Sequence, residues 1–325
     1  MQPADRYALL ASALGGRLIS VAPLDGGVSA DSHLLTYDVV GETRRAVVRG
    51  LNRLSYPGAP DETLPRLKRL LGSLHEAGLP VGRPLLLDDD GPTADDTQLG
   101  NSLVVGQPSA GSQAGRLVVE YISGTTELPD ISIALPALAE LLARVHAVPA
   151  DAVESAQLPA AVDPAGEARD LLHRLRPDLD VTGIIEDPQP RPHPGAGAGG
   201  LVHGDFWPGN VLWQDGRVVG LIDWEDAGVG DPECDLGTAR TELTLALDAG
   251  AAAEFRRHYD RVCGQPPDEH RVDLWTVCSA AGMLLYVGGW GLPAEREQQV
   301  RAVAREVLDE TLARLASRRD RSRGR

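Results

Sequence analysis

The chain has 325 residues, which is enough for one large domain or two moderate ones. Hydrophobic residues make up 42% of it and aromatic residues only 4%, so we expect a core built mainly from Leu, Val and Ala. The net charge of −16 argues against nucleic-acid binding, which usually needs a basic surface.

Cysteine content and hydropathy favour a cytoplasmic protein. The three cysteines, Cys234, Cys263 and Cys278, are widely spaced without a CxxC pair, which favours reduced thiols over a disulfide or a zinc site. The first twenty residues carry charges and no long apolar core, so no signal peptide is expected. No apolar run reaches the roughly 18–20 residues that a membrane helix needs, so no membrane partner is expected either.

Residues 17 to 49 are typical of three antiparallel strands, and a short helix is predicted before them at residues 5 to 14. A glycine-containing turn joins the first two strands, and glycine lets backbone N–H groups approach anions. We expect this turn to cover nucleotide phosphates, the alternative being an ordinary hairpin turn. The turn residues are Gly26, Gly27, Val28 and Ser29.

An amphipathic helix is predicted over residues 62 to 77, because leucines recur there at helical spacing and Gly78 and Pro80 follow. Residues 88 to 116 are rich in Asp, Gly, Ser and Gln. Their acidic cluster lacks the spacing of a calcium loop, so a solvated surface loop is expected.

Three further segments lead to the most informative part of the chain. A strand is predicted over residues 117 to 122, and a helix follows whose leucines span residues 135 to 142. His146 near the end of this helix is expected to cap or to pack. Residues 150 to 200 contain helical stretches and a loop that is too rich in Pro and Gly for regular structure.

Residues 202 to 236 contain the strongest chemical signal. Four residues separate Asp205 from Asn210. This is the spacing of a phosphoryl-transfer loop, in which the Asp accepts the proton of the attacking hydroxyl and the Asn binds Mg²⁺. Asp223, thirteen positions after Asn210, offers a second hard oxygen ligand.

A predicted hairpin explains how these residues meet. Residues 211 to 213 form a short apolar strand, Asp215 and Gly216 are typical of a two-residue turn, and residues 218 to 222 return as a second strand. The turn should fold position 223 back beside Asn210, so that both side chains can reach one Mg²⁺ ion.

The rest of the chain is predicted to be helical. The predicted ranges are 233–247, 251–263, 268–288 and 294–318. The arginine-rich tail, residues 317 to 325, is expected to be disordered.

These motifs, taken in order, resemble the Brenner-type motif of the aminoglycoside phosphotransferase family, a branch of the protein-kinase-like fold. The matching elements are His203-Gly204-Asp205, Asn210, Ile222-Asp223-Trp224-Glu225, Gly230-Asp231-Pro232 and Asp235-Leu236. The resemblance implies a two-lobed α+β fold with ATP in the cleft. Residues 1–122 would form a small antiparallel-sheet lobe that binds nucleotide, and residues 123–325 a larger, mostly helical lobe that binds substrate and carries catalysis.

The resemblance also implies roles for individual residues of the catalytic run. Asp205 would be the general base, and His203 would support its loop rather than react. Asn210 and Asp223 would bind Mg²⁺, and Asp235 would brace the backbone of the loop.

In the N-terminal lobe the resemblance implies a hinge whose backbone contacts adenine, at Glu120, Tyr121 and Ile122. Related kinases place a lysine on the third strand to hold the α- and β-phosphates, and Arg49 stands in that position here. Arginine binds phosphate well but is not interchangeable with lysine. The glutamate that normally pairs with this lysine has only a weak candidate, Glu62.

Three functions remain open from the sequence. The leading one is an ATP- and Mg²⁺-dependent phosphotransferase that acts on a hydroxyl of a small molecule: an aminoglycoside-like compound, an amino alcohol or a sugar. The second is a catalytically silent, nucleotide-binding regulatory module, which Arg49 and the uncertain glutamate would support. The third, a metal-dependent hydrolase using His203 and Asp205, lacks the further ligand cluster that such a site requires.

Overall fold

Antiparallel strands organise the N-terminal part of the computed structural model, which describes residues 3–24, 30–51, 63–88, 115–159, 163–181, 183–186 and 200–323. The chain divides into two units, Met1–Ile122 and Ser123–Arg325. The glycine-containing turn at residues 26–29, Glu62 and residues 89–114 lie outside the described residues. What the sequence predicts for these segments therefore stays a prediction.

The first unit contains a five-stranded antiparallel sheet and two helices. The strands are β1 (Arg17–Pro23), β2 (Ala30–Val39), β3 (Glu42–Leu51), β4 (Pro84–Asp88) and β5 (Arg116–Glu120), and the helices are α1 (Pro3–Ala13) and α2 (Thr63–Glu76). The strand order in the sheet is β1-β2-β3-β5-β4. All the leucines on one face of α2 are buried, which confirms the amphipathic helix predicted from their spacing. The α+β fold class is likewise confirmed.

The second unit is mostly helical, with short strand pairs beside the helices. Its elements are α3 (Ile131–His146), α4 (Pro164–Leu175), β6 (Gly200–Val202), β7 (Val211–Gln214), β8 (Arg217–Leu221), β9 (Gly228–Gly230), α5 (Glu233–Ala246), α6 (Ala249–Cys263), α7 (Glu269–Tyr286) and α8 (Ala294–Arg323). The four helices predicted after residue 232 are all present. Strand β6 pairs with β9, and β7 pairs with β8.

Helix α7 is the centre of the helical core. Apolar side chains from α4, α7 and α8 form one buried cluster, to which α7 contributes Leu274, Val277, Ala280, Ala281 and Leu284 among others. Because it is apolar on nearly every side, the segment Glu269–Gly289 is long and apolar enough to cross a bilayer, contrary to the sequence prediction. Two thirds of that stretch, 67%, is buried inside the protein, as expected for a core helix.

The C-terminal helix is longer than the sequence predicted. Helix α8 continues to Arg323, so the predicted disorder of the tail is wrong for residues 317–323. A buried carboxylate on α7 supports the first part of this extension, since Asp273 has no exposed side-chain surface and pairs with arginines. Arg314 and Arg318 of α8 lie 3.3 Å and 2.8 Å from Asp273.

A polar network holds the first turn of α5 against α7. Asp231, just before α5, accepts hydrogen bonds from the guanidinium of Arg271 and, at 3.1 Å, from Nε1 of Trp275. Glu233 accepts the backbone N–H of Asp268 at 2.9 Å. Burial, together with the hydrogen bond and the charge of Asp231, raises the pKa of Glu233 to about 8. At neutral pH Glu233 is therefore protonated and donates to Asp231.

We expect Glu233→Gln to make the protein more stable at alkaline pH. The pKa of Glu233 in the folded protein lies above its ordinary value of 4.5. Its contribution to the free energy of unfolding is therefore full below about pH 4.5 and is lost as the pH rises through about 8. The Gln amide keeps the donor to Asp231 and the acceptor for the Asp268 N–H, but it has no proton to lose.

Thermal unfolding at about pH 6 and about pH 9 tests this prediction. Glu233→Gln should raise Tm at the higher pH and flatten its dependence on pH. The exposed Glu306→Gln serves as the control, since it removes a solvated carboxylate from α8. Equal pH slopes in the wild type and in Glu233→Gln would contradict the prediction.

Candidate active site

The predicted β7–β8 hairpin is confirmed, and it brings Asn210 and Asp223 together. Gln214 pairs with Arg217 across a two-residue turn, in which Asp215 and Gly216 have φ values of 50° and 71°. Positive φ at both turn positions is the conformation that matches the twist of the flanking strands. At the open end, the N–H of Ile222 donates to the carbonyl oxygen of Asn210 at 2.9 Å, which places Asp223 beside Asn210.

Asp235 holds the loop that carries Asp205. Its side chain is completely buried, and it accepts the backbone N–H groups of His203 and Gly204, both at 2.8 Å. Burial alone would raise the pKa of Asp235, but the hydrogen bond and charge of His146, with the hydrogen bond from the backbone of His203, hold it below its usual range. Asp235 is therefore an ionised brace of the loop, as the sequence predicted.

His203 is a buried structural member of the loop. Its Nδ1 accepts the N–H of Asp205 at 3.3 Å, and its Nε2 lies 2.9 Å from the carbonyl oxygen of Ile222. The tautomer with hydrogen on Nε2 satisfies both contacts. The ring packs against Trp224, with centroids 4.6 Å apart. Both ring nitrogens are thus used within the protein, which fits a supporting role better than proton transfer.

Asp205 lies in a polar, negatively charged environment. The Asn210 side chain donates to the Asp205 carbonyl oxygen at 2.8 Å and to its carboxylate at 3.0 Å. Burial raises the pKa of Asp205. The hydrogen bond from Asn210 opposes this rise, and the charges of Asp226 and Asp223 reinforce it. The carboxylate is therefore a better proton acceptor than an ordinary aspartate.

Asn210 and Asp223 are the candidate metal ligands. Because the amide nitrogen of Asn210 faces Asp205, its carbonyl oxygen is turned to the other side of the amide group. Asp223 adopts a left-handed backbone conformation, with φ of 68°, which aspartate tolerates better than most residues. The described residues contain no group of three or more His, Cys, Asp or Glu side chains suited to a metal ion.

One acidic residue near Asp205 was missed in the sequence. Glu242 lies on α5, seven positions after Asp235 and therefore on the same side of the helix. Burial, and then the charge of Asp205, raises the pKa of Glu242 to about 8, while Arg296 opposes the rise. The seven-residue spacing from Asp235 was the available signal.

In the candidate hinge of the first unit, residues 120 to 122, two of the backbone N–H groups are already hydrogen-bonded. The N–H of Glu120 donates to the Arg83 carbonyl oxygen at 2.9 Å, and the N–H of Tyr121 reaches that of Arg45 at 3.5 Å. A contact with adenine here would therefore use carbonyl oxygens or the N–H of Ile122. Arg49 lies on β3, in register with Leu117 of β5.

Gly204 marks a close approach of two backbone segments in the site. Its φ of +84° favours glycine, and an added Cβ would lie 2.2 Å from the carbonyl oxygen of Asp226. The backbone of the loop is thus pressed against the segment that follows Asp223. Only glycine fits there without moving one of the two segments.

Comparisons with known proteins agree with this geometry. A family profile described as "Phosphotransferase enzyme family" matches residues 20–275. Viomycin phosphotransferase of Streptomyces vinaceus is 50% identical over 40 residues, which are 11% of this chain and only 14% of that protein.

Solved structures resemble the chain over nearly its whole length. Macrolide 2'-phosphotransferase type I has a TM-score of 0.59 at 20% identity, covering 94% of this chain and 98% of that one. A thermostable mutant of aminoglycoside phosphotransferase APH(4)-Ia, in a ternary complex with AMP-PNP and hygromycin B, has a TM-score of 0.55 at 16% identity, with 94% and 98% covered. At these identities the likeness establishes the fold, which is that of the phosphotransferases.

We expect Gly204→Ala to destabilise the protein far more than Gly216→Ala. Both glycines have positive φ, but an added Cβ at Gly216 meets nothing within 4 Å. Gly216→Ala should therefore cost only the backbone strain, about 1–2 kcal/mol. Gly204→Ala adds the collision with Asp226 and should cost at least about 3 kcal/mol. Denaturant unfolding measures both, and losses of similar size would contradict the packing argument.

Proposed function

The chain belongs to the phosphotransferase enzyme family, and on that premise we propose that it transfers the γ-phosphate of ATP, with Mg²⁺, to a hydroxyl of a small molecule that carries an amine. The observation that carries this proposal is the Asp205–Asn210 pair on a loop whose backbone is held by Asp235. Phosphoryl transfer needs little beyond positioning and charge stabilisation, and this loop supplies a positioned carboxylate.

Asp205 is the proposed catalytic base. Its carboxylate is oriented by Asn210 and shifted towards a higher pKa by burial. In this role it accepts a hydrogen bond from the acceptor hydroxyl, orients the oxygen towards the phosphoryl group and takes up the proton as the new bond forms. His203, with both ring nitrogens used inside the protein, keeps the loop in place.

The residues present suit a magnesium ion. The Asn210 carbonyl oxygen and the Asp223 carboxylate are hard oxygen ligands from adjacent positions of the hairpin, and Mg²⁺ usually takes one or two protein ligands together with phosphate oxygens. When bound, the ion would neutralise charge on the nucleotide phosphates. The mutual repulsion of Asp205, Asp223 and Asp226 would be relieved by such a cation.

We propose the first unit as the nucleotide-binding part, with Arg49 on β3 as the phosphate ligand and the backbone of Glu120, Tyr121 and Ile122 as the adenine contact. The turn at Gly26, Gly27, Val28 and Ser29 would cover the phosphates. Structures of similar fold contain AMP-PNP in one case and GDP in another, which supports a nucleotide here.

Glu242 narrows the proposed range of acceptor molecules. Glu242, half-buried on α5 and close enough to Asp205 to be affected by its charge, would gain most from a ligand that brings positive charge, because such a charge favours the ionised form of Glu242 against burial and repulsion. An acceptor with an amine near its hydroxyl, such as an aminoglycoside-like compound or an amino alcohol, meets this need better than a neutral sugar. The short match to viomycin phosphotransferase is compatible with a small-molecule acceptor.

The silent regulatory module is the second candidate, because Arg49 occupies the position of the usual lysine. A module that only binds nucleotide has no chemical need for a base. The joint presence of Asp205, Asn210 and Asp223 in one arrangement therefore favours the enzyme.

Asp205→Asn should abolish acceptor-dependent ADP formation while leaving nucleotide binding intact. The amide keeps the size of the side chain and can still accept from Asn210, but it cannot take up a proton. Losing a general base typically costs about 10²–10⁴ in rate. ADP release with Mg-ATP or Mg-GTP, across aminoglycosides, macrolides, amino alcohols and sugars, measures this.

Asp215→Asn is the matched control, since Asp215 lies in the hairpin turn and asparagine tolerates the same backbone conformation. It should retain full turnover. Mg-ATP binding without turnover for any acceptor in the wild type would favour the regulatory module. Turnover that persists in Asp205→Asn would remove Asp205 as the base.

Glu242→Gln should raise KM for an amine-bearing acceptor by about tenfold or more, which corresponds to about 1.4 kcal/mol of lost binding. KM for ATP should not change, because the proposed nucleotide contacts lie elsewhere. A neutral acceptor should show no effect, and the exposed Glu295→Gln serves as the charge-matched control. Steady-state kinetics with both acceptors decide, and an equal effect on the two would contradict the proposed role of Glu242.

A further inference from the structure

A histidine outside the catalytic run reaches the brace of the catalytic loop. His146, the last residue of α3, has its Nε2 3.0 Å from Oδ2 of Asp235. Its Nδ1 lies 2.7 Å from the hydroxyl of Tyr259 on α6. The side chains of all three residues are buried, with His146 only 5% exposed. The sequence predicted that His146 caps or packs, and did not predict this polar contact.

The contact completes the hydrogen bonding of a buried negative charge. Oδ1 of Asp235 accepts the N–H of Gly204, and Oδ2 accepts the N–H of His203 together with His146. A buried carboxylate needs such donors because burial has removed its water. Without His146, Oδ2 keeps a single backbone donor, and Asp235 would turn or admit water to recover the second.

We propose that His146 is a positioning residue of the catalytic loop, acting through Asp235 to fix the backbone that carries Asp205. This inference rests on the proposed function for its kinetic consequence but not for its structural one. The ring nitrogens of His146 bond to Asp235 and Tyr259, so its influence on Asp205 passes through Asp235 and the Gly204 amide.

The influence of His146 falls mainly on the position of Asp205. Gly204, which precedes Asp205, is held from one side by Asp235 and from the other by the carbonyl oxygen of Asp226. A rotation of the Asp235 carboxylate moves the first of these supports, and Asp205 moves with it. A displacement of about 1 Å at a reacting group can cost about 100-fold in rate, whereas binding of distant parts of a substrate is hardly affected.

Two amide variants separate the two contacts of His146. In His146→Gln the amide nitrogen stands near the position of Nε2 and can still donate to Asp235. In His146→Asn the amide stands near the position of Nδ1, where it can meet Tyr259 but is too short to reach Asp235. Both variants are neutral and polar, so they differ chiefly in the bond to Asp235. Val145→Ala, a truncation of the fully buried neighbour, controls for general destabilisation of α3.

Two readouts on the full-length protein test the proposal. Steady-state kinetics should show kcat lowered about 10- to 100-fold in His146→Asn with little change in KM for ATP, and substantial recovery in His146→Gln. Amide hydrogen exchange without substrate should show faster exchange of a peptide covering residues 201–210 in His146→Asn, but not in His146→Gln or Val145→Ala.

The exchange readout separates this inference from the proposed function, because it requires no turnover. Absence of turnover in the wild type would defeat the proposed function, while faster exchange confined to His146→Asn would still support the positioning contact. Equal losses of kcat in the Gln and Asn variants, or unchanged exchange of residues 201–210 in His146→Asn, would overturn the positioning role.

Discussion

One buried carboxylate fixes the backbone on which the candidate active site depends. Asp235 has no exposed surface, and its two oxygens accept the N–H groups of consecutive loop residues, His203 and Gly204. A charge can remain buried only where hydrogen bonds replace the lost water. Helix α5, which carries Asp235, and the loop that follows β6 must therefore form together. The loop gains a defined conformation, and Asp235 gains the donors without which it could not be buried.

The acidic residues around Asp205 make the same site electrostatically unfavourable in the free protein. Asp223 and Asp226 raise the pKa of Asp205, and Asp205 raises that of Glu242, so the ionised form of each of these carboxyl groups is disfavoured by its neighbours in the free protein. Binding of cations relieves this repulsion, and any ligand that binds only the folded state stabilises it. A magnesium ion on one side and a cationic acceptor on the other are the ligands that such a charge distribution favours.

The sequence predicted the parts of the structure that depend on neighbouring residues. The Asp215-Gly216 turn sets the register of the hairpin, and the leucine spacing of α2 and the starts of the later helices needed no distant contact. Contacts between distant residues were not predictable. His146 and Asp235 are 89 positions apart, and the bond between them depends on how α3 packs. Residues 317–323 are arginine-rich, and the pairing of Arg318 with the buried Asp273 of α7 is a distant contact that supports the helix there.

This division also explains why the motif identifies the chemistry but not the acceptor. The proposed base, the amide and the second carboxylate lie within nineteen residues, from Asp205 to Asp223, on one loop and one hairpin. Apart from Asp235, the residues that orient them or add charge lie outside the motif, on α3, α5 and α6. A fold shared at 20% identity over 94% of the chain preserves such helices while leaving their side chains free to vary. Under the proposed function, acceptor choice depends on residues such as Glu242, whose electrostatic interaction with Asp205 only the folded structure shows.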